Sequence, residues 1–92
     1  MARGRAGSAS EGLEGRMGSR LPVVSGREAA RAFERLGWRF LRQRSSHMVY
    51  GRPDVPANLS IPDHREISTG TLRTLIRTAG IEIEDFVRAL EG

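Results

Sequence analysis

The stretch WRFLRQRSSHMVYGRPDVPANLSIP, residues 38–62, decides how this chain folds. Trp38, Phe40 and Leu41 lie among Arg39, Arg42 and Arg44, the polar pair Ser45 and Ser46 interrupts, and Met48, Val49 and Tyr50 resume the apolar run. Two short runs of this kind about a polar pair predict a two-stranded hairpin. Leu59 and Ile61 alternate with Asn58 and Ser60 among Pro53, Pro56 and Pro62, which predicts a third short strand over 58–61. The connections are too short for crossovers, so the sheet is expected to be an antiparallel meander.

Outward from this stretch the period changes from two to 3.6. Upstream, Ser25 and Glu28 have capping-box spacing, and Ala29, Ala32, Phe33 and Leu36 form one helical stripe that Gly37 ends. Downstream, Leu72, Leu75, Ile76 and Ala79 repeat the same offsets between a candidate cap at Thr71 and a stop at Gly80. A last short helix carries Ile83, Phe86, Val87 and Leu90, with Glu82, Glu84 and Asp85 in its first turn, where the helix dipole favours anions. The expected architecture is therefore α+β, in the order α-β-β-β-α with a short extra C-terminal helix. The three-stranded antiparallel sheet should carry its helices on one face, with the apolar stripes forming the core.

Ninety-two residues allow one domain at most, and a globule of that size leaves no room for a deep cleft, so any site lies near the surface. Residues 21–92 are read as that domain. Residues 1–20 hold five Gly, three Ser and four Arg with few large apolar side chains, and read as a disordered basic tail or as an extension before a start at Met17. Cysteine is absent, which excludes disulfide staples, thiolate nucleophiles and Cys-ligated zinc. No stretch approaches a membrane span or a secretory signal, and a cytoplasmic protein is expected.

All fifteen cationic residues are Arg, against eleven acids. Residues 1–80 carry +7 and residues 81–92 carry −3, so the basic character belongs to the body of the chain. Guanidinium groups offer forked donors to phosphate, which makes a polyanion the first candidate partner. By strand alternation Arg42 and Arg44 share a face while Arg39 points the other way, and Arg42 and Arg44 are candidate phosphate contacts. The same residues would equally serve as a solubilising surface. Trp38 and Tyr50 offer rings for base stacking, but their pattern assigns them to the core.

The remaining chemistry rests on two histidines. His47 sits beside cations and hydroxyls, and an imidazole, with its free pKa of about 6.5, can give or take a proton at neutral pH. RNA cleavage needs little more, because the 2′-OH is an internal nucleophile. The enzyme must align it, move protons and stabilise developing charge. His64, in Pro62-Asp63-His64-Arg65, is the candidate second proton-transfer group. No His pair at i, i+4 exists to suggest a metal site, and Gly-rich phosphate loops and nucleophile elbows are absent. No cofactor is expected.

From Leu21 to Leu90 the chain resembles the HicA toxins of bacterial type II toxin–antitoxin systems. The resemblance rests on Leu21 to Glu28, Leu36-Gly37-Trp38, Arg42-Gln43-Arg44-Ser45-Ser46-His47, Ile61-Pro62-Asp63-His64-Arg65-Glu66-Ile67, and Gly70-Thr71-Leu72-Arg73 through Ala79-Gly80-Ile81. It implies a fold like a double-stranded-RNA-binding domain and a small ribonuclease that cuts mRNA and is held inactive by a HicB-like antitoxin. The family's catalytic His falls in a Gly-Ser-His motif, which corresponds to His47 here, with Ser45 in place of the Gly. The expected activity is a metal-independent endoribonuclease with His47 as general acid or base. Arg42, Arg44 and Arg73 would bind phosphate or stabilise charge, and Ser46 would orient the substrate. The expected partners are mRNA and the antitoxin, and neither a membrane nor DNA. The rival readings are a non-catalytic RNA-binding module of the same fold and an inactive toxin that retains only antitoxin binding.

Overall fold

Ser25 starts the first helix, as its spacing to Glu28 predicts: its Oγ accepts from the Glu28 amide at 3.0 Å while Glu28 Oε1 accepts from the Ser25 amide at 2.8 Å. In the computed structural model, which describes residues 21–92, this helix is α1 (Gly26–Arg35). The tail expected at residues 1–20 lies outside the described residues. Helix α1 ends in a Schellman turn, with Trp38 N donating to Phe33 O and Gly37 N to Glu34 O, and Gly37 at φ 99°. That turn delivers Trp38 into the core, where it is 1% exposed.

Three strands follow, β1 (Arg39–Arg44), β2 (His47–Arg52) and β3 (Val55–Pro62), antiparallel and in the order β1-β2-β3. The third strand begins three residues earlier than its apolar alternation suggests. Pro56 is tolerated because β3 is an edge strand and needs no outward amide bond. Met48 pairs with Ile61 and Tyr50 with Leu59, so these four share the face that the helices cover. His47, Val49 and Gly51 alternate onto the opposite, open face. A register shift between Phe40 and Arg42 places Leu41 as an extra residue in β1. Arg39 therefore pairs with Gly51, Arg42 with Val49 and Arg44 with His47, and all three guanidinium stems leave from the open face. This corrects the simple alternation that sends Arg39 the other way.

Helix α2 (Thr69–Ala79) is capped by Ser68, whose Oγ accepts from the Thr71 amide at 3.2 Å, so the cap falls three residues before the expected Thr71. Helix α3 (Ile83–Leu90) starts where Asp85 Oδ2 accepts from the Glu82 amide at 3.0 Å. It packs on α1 through Phe86 against Phe33, ring centroids 5.2 Å apart, and Arg35 of α1 donates to the Ala89 carbonyl at 2.7 Å. Phe33, Trp38, Leu59, Ile61, Leu72 and Phe86 are fully buried, and each such side chain stabilises the fold by about 1.5–3 kcal/mol. The architecture is the α+β arrangement read from the sequence. None of the described helices is long and apolar enough to cross a membrane.

Tyr50 shows how tightly the sheet meets α1. It is 4% exposed, its hydroxyl donates to Glu34 Oε2 at 2.6 Å, and burial, then the Glu34 bond and charge, push its pKa from 10.0 up to about 12. The folded state thus favours the neutral phenol. The stabilisation is complete below pH 10 and is lost as the pH rises from there through about 12. Tyr50 is the chain's one tyrosine, so tyrosinate absorbance is expected to appear near pH 12 in the folded protein and near pH 10 in denaturant. A transition near pH 10 in the folded protein would contradict the Glu34 contact.

Candidate active site

The β1–β2 hairpin turns on two residues, Ser45 and Ser46, between the paired Arg44 and His47. Ser45 sits at φ 54°, a region that costs a side-chain-bearing residue about 1–2 kcal/mol and a glycine nothing, and Gln43 Nε2 donates to its carbonyl at 3.2 Å. The serine at the position where the resembled motif has glycine thus keeps the glycine-like backbone conformation, with strain stored beside His47. The turn is not redrawn. His47 opens β2, half-buried, with Arg44 across one strand boundary and Pro62 across the other.

His64 arrives from the far end of β3. The Asp63 amide donates to the Ser46 carbonyl at 2.7 Å, extending the ladder one step past Pro62. The Gly26 amide, first in α1, donates to the His64 carbonyl at 2.8 Å. A Cβ at Gly26 would overlap the Pro62 carbonyl oxygen and lie 3.1 Å from Asp63 Cα, so the helix can approach this segment so closely only through a glycine. Arg27 adds an ion pair to Asp63, Nε to Oδ1 3.2 Å, and the Ile67 amide donates to the Val24 carbonyl at 2.9 Å. Held by these bonds, the rings of His47 and His64 stand with centroids 6.5 Å apart and planes at 58°. Two groups at that separation do not bond each other. Hydrogen bonds of about 2.6–3.2 Å from each can meet at one phosphate between them.

Arg42 and Arg44 are exposed on the face that carries His47, and with Ser45, Val49, Asn58, Ser60 and His47 itself they line a shallow, open depression. Ser46 is exposed in the turn, and its carbonyl is the acceptor that anchors Asp63. Arg73 does not join this group. It is exposed on α2, in the helical layer on the other side of the sheet. Arg52 is engaged elsewhere, bonded to the Leu36 carbonyl at 2.8 Å and to Asp54 at 2.8 Å. Among the described residues no three His, Cys, Asp or Glu side chains cluster as a metal site would require. Trp38 and Tyr50 are buried under the opposite face, as the core reading has it.

The sequence reading gives Gly26 and Arg27 no role of their own and places Arg39 on the wrong face. Gly26 leaves a readable trace: a glycine in the first turn after a good N-cap has no helical reason to be there, and close backbone approach is the alternative. The ion pair leaves no local trace, and Arg39's face depends on a bulge whose one local hint is the adjacent apolar pair Phe40 and Leu41.

A larger groove, lined by Leu21, Pro22, Val23 and Val24 with α1 and α3, has neither histidine in its lining and is mostly apolar. Its position gives it no part in the chemistry described above.

Compared with known proteins, the chain has no match among curated sequences. A family model described as the HicA toxin of bacterial toxin–antitoxin matches residues 26–81, a span that runs from the glycine under the Pro62 carbonyl, through both histidines and the Arg face, to the end of α2 and just beyond. With more than half of its length so matched, the chain belongs to the HicA toxin family of bacterial toxin–antitoxin systems, whose toxins are paired with an antitoxin.

Proposed function

We propose that this toxin is a cytoplasmic endoribonuclease that cleaves mRNA by internal transesterification, with His47 and His64 as its two proton-transfer groups. The observation that carries the reading is the placement of two imidazoles 6.5 Å apart next to a face bearing Arg42 and Arg44. One imidazole, neutral, takes the proton of the 2′-OH as O2′ attacks phosphorus. The P–O2′ bond forms and the P–O5′ bond breaks. The other, protonated, gives its proton to the departing 5′ oxygen. The products are a 2′,3′-cyclic phosphate and a 5′-hydroxyl. Arg42 and Arg44 hold the phosphate and stabilise charge developing on its non-bridging oxygens, and Ser46 orients the strand. Arg73, on the helical layer, contacts the RNA backbone away from the cut.

The chemistry needs no metal ion, so the rate is expected to be the same in EDTA. A single deoxyribose at the cut nucleotide removes the nucleophile and should stop cleavage there, and cyclic-phosphate ends should accumulate on all-ribose RNA. Cleavage of the deoxy-substituted strand or of DNA would overturn the mechanism. Binding of RNA without cutting would select the non-catalytic RNA-binding reading instead. Antitoxin binding without either would select an inactive toxin.

The antitoxin partner is expected to be HicB-like, covering His47 and neutralising the Arg face. Its association should slow as salt rises, because exposed charges further apart than about 10 Å at 0.1 M ionic strength are largely screened.

A further inference from the structure

The row of residues beside His47 includes an apolar side chain that phosphate binding does not use. Across the open face Arg42, Val49 and Ser60 are neighbours, because Val49 pairs with Arg42 on one side and Ser60 on the other. This row lies two residues along β2 from His47, about 6.6 Å. Asn58 follows Ser60 on the same face of β3 and lines the same depression. Its placement depends on Gly51: a Cβ there would lie 2.7 Å from Leu41 Cδ1 and 3.2 Å from Asn58 Oδ1, so the bare backbone lets both side chains close over it.

Guanidinium, amide and hydroxyl groups can all contact phosphate, but an apolar floor adds nothing to such a site. Here the floor is an apolar side chain, Val49, only 7% exposed although it faces away from the helices, and the far rim is a neutral amide and a hydroxyl. An apolar floor with donor-and-acceptor groups at one edge and a guanidinium at the other fits a flat ring with an apolar face and a polar edge. An amide offers one acceptor and two donors, a hydroxyl one donor and two lone pairs, and an Arg plane can stack on an unpaired base.

We propose that this depression is a nucleobase subsite: the base of a nucleotide flanking the cleaved bond lies over Val49, under Arg42, and is read at its edge by Asn58 and Ser60. The proposal rests on the ribonuclease reading and gives it a specificity determinant.

Two experiments test it. In the first, four RNAs that differ only in the base beside a fixed cleavage site compete for the protein and for its Asn58→Ala variant. A side chain that makes a good bidentate contact discriminates by about 1–3 kcal/mol, so the ratio between the best and worst base is expected to shrink about tenfold or more in the variant. Asn58→Asp, which removes the two donors, should reorder the preference. Asn58 is exposed, so both variants should fold. In the second, the four nucleoside 3′-monophosphates are titrated into the protein while backbone amide resonances are followed. Shifts at Val49, Asn58 and Ser60 that depend on the base, and weaken in Asn58→Ala, are expected. Unchanged ratios in both variants, or shifts confined to Arg42, Arg44 and His47, would overturn the subsite. If wild-type protein cuts no RNA but the base-dependent shifts persist, the ribonuclease reading fails and the subsite stands.

Discussion

Replacing His47 by alanine should lower the rate of RNA cleavage by about 10²–10⁴, and replacing His64 should do so by a comparable factor, with little change in stability. The magnitude follows from the loss of one positioned proton transfer. The neutrality of the fold follows from location: His47 is half-buried at a turn and His64 is exposed, and neither is bonded through its ring to another side chain among the described residues. Substitutions at such positions usually cost within about 0.5 kcal/mol, which thermal unfolding resolves. Because one imidazole must be neutral and the other charged, the rate should rise and then fall with pH. Each single variant should lose one limb of that bell. The double variant should be little worse than the poorer single one, since groups acting in one step do not add. A His64→Ala protein that cuts at the parent rate would strike His64 from the mechanism, and an unchanged His47→Ala would remove the mechanism itself.

What the sequence revealed and what it concealed divides along the range of the forces involved. The start of α1 was legible because a capping box is closed between residues three apart, Ser25 and Glu28. The start of α2 was misplaced because Ser68 and Thr71 are both competent caps. The Ile67 bond to the Val24 carbonyl, a contact across 43 residues, holds the chain just ahead of Ser68. The face of Arg39 was misread for a similar reason. A bulge shows only against its partner strand, and the adjacent apolar pair Phe40 and Leu41 was its one local hint. The two histidines could be named singly but not joined. Their meeting follows from the β2–β3 register, which returns Pro62 to His47, and from the amide bond that carries the ladder on to Asp63. The identity of Ser45 was plain, whereas its backbone conformation was not, because a serine at φ 54° is imposed by the hairpin around it.

Gly26→Ala should be the most damaging small substitution near the site, and its effect should reach the chemistry. In an isolated helix alanine is the better residue by about 1 kcal/mol, so propensity alone predicts a more stable protein. The contact predicts the opposite sign. The added methyl would fall on the Pro62 carbonyl oxygen and 2.9 Å from its carbon, and these are backbone atoms that cannot rotate aside. Either α1 or the 62–64 segment must retreat, and with it goes the bond from the Gly26 amide to the His64 carbonyl. Overpacking of this kind costs about 1–3 kcal/mol, or about 4–8 °C in Tm per kcal/mol for a domain of this size. The Arg27–Asp63 pair will not restore the approach, because it is an exposed ion pair of small worth. Gly70→Ala supplies the control, since nothing lies within 4 Å of a Cβ there and the substitution in α2 should be neutral or stabilising. Measured at a temperature where both variants are folded, RNA cleavage should fall in Gly26→Ala and hold in Gly70→Ala, because only the first moves the segment that carries His64. Equal stability and equal rates in the two would mean that the pairing of the imidazoles does not depend on how closely α1 approaches the end of β3.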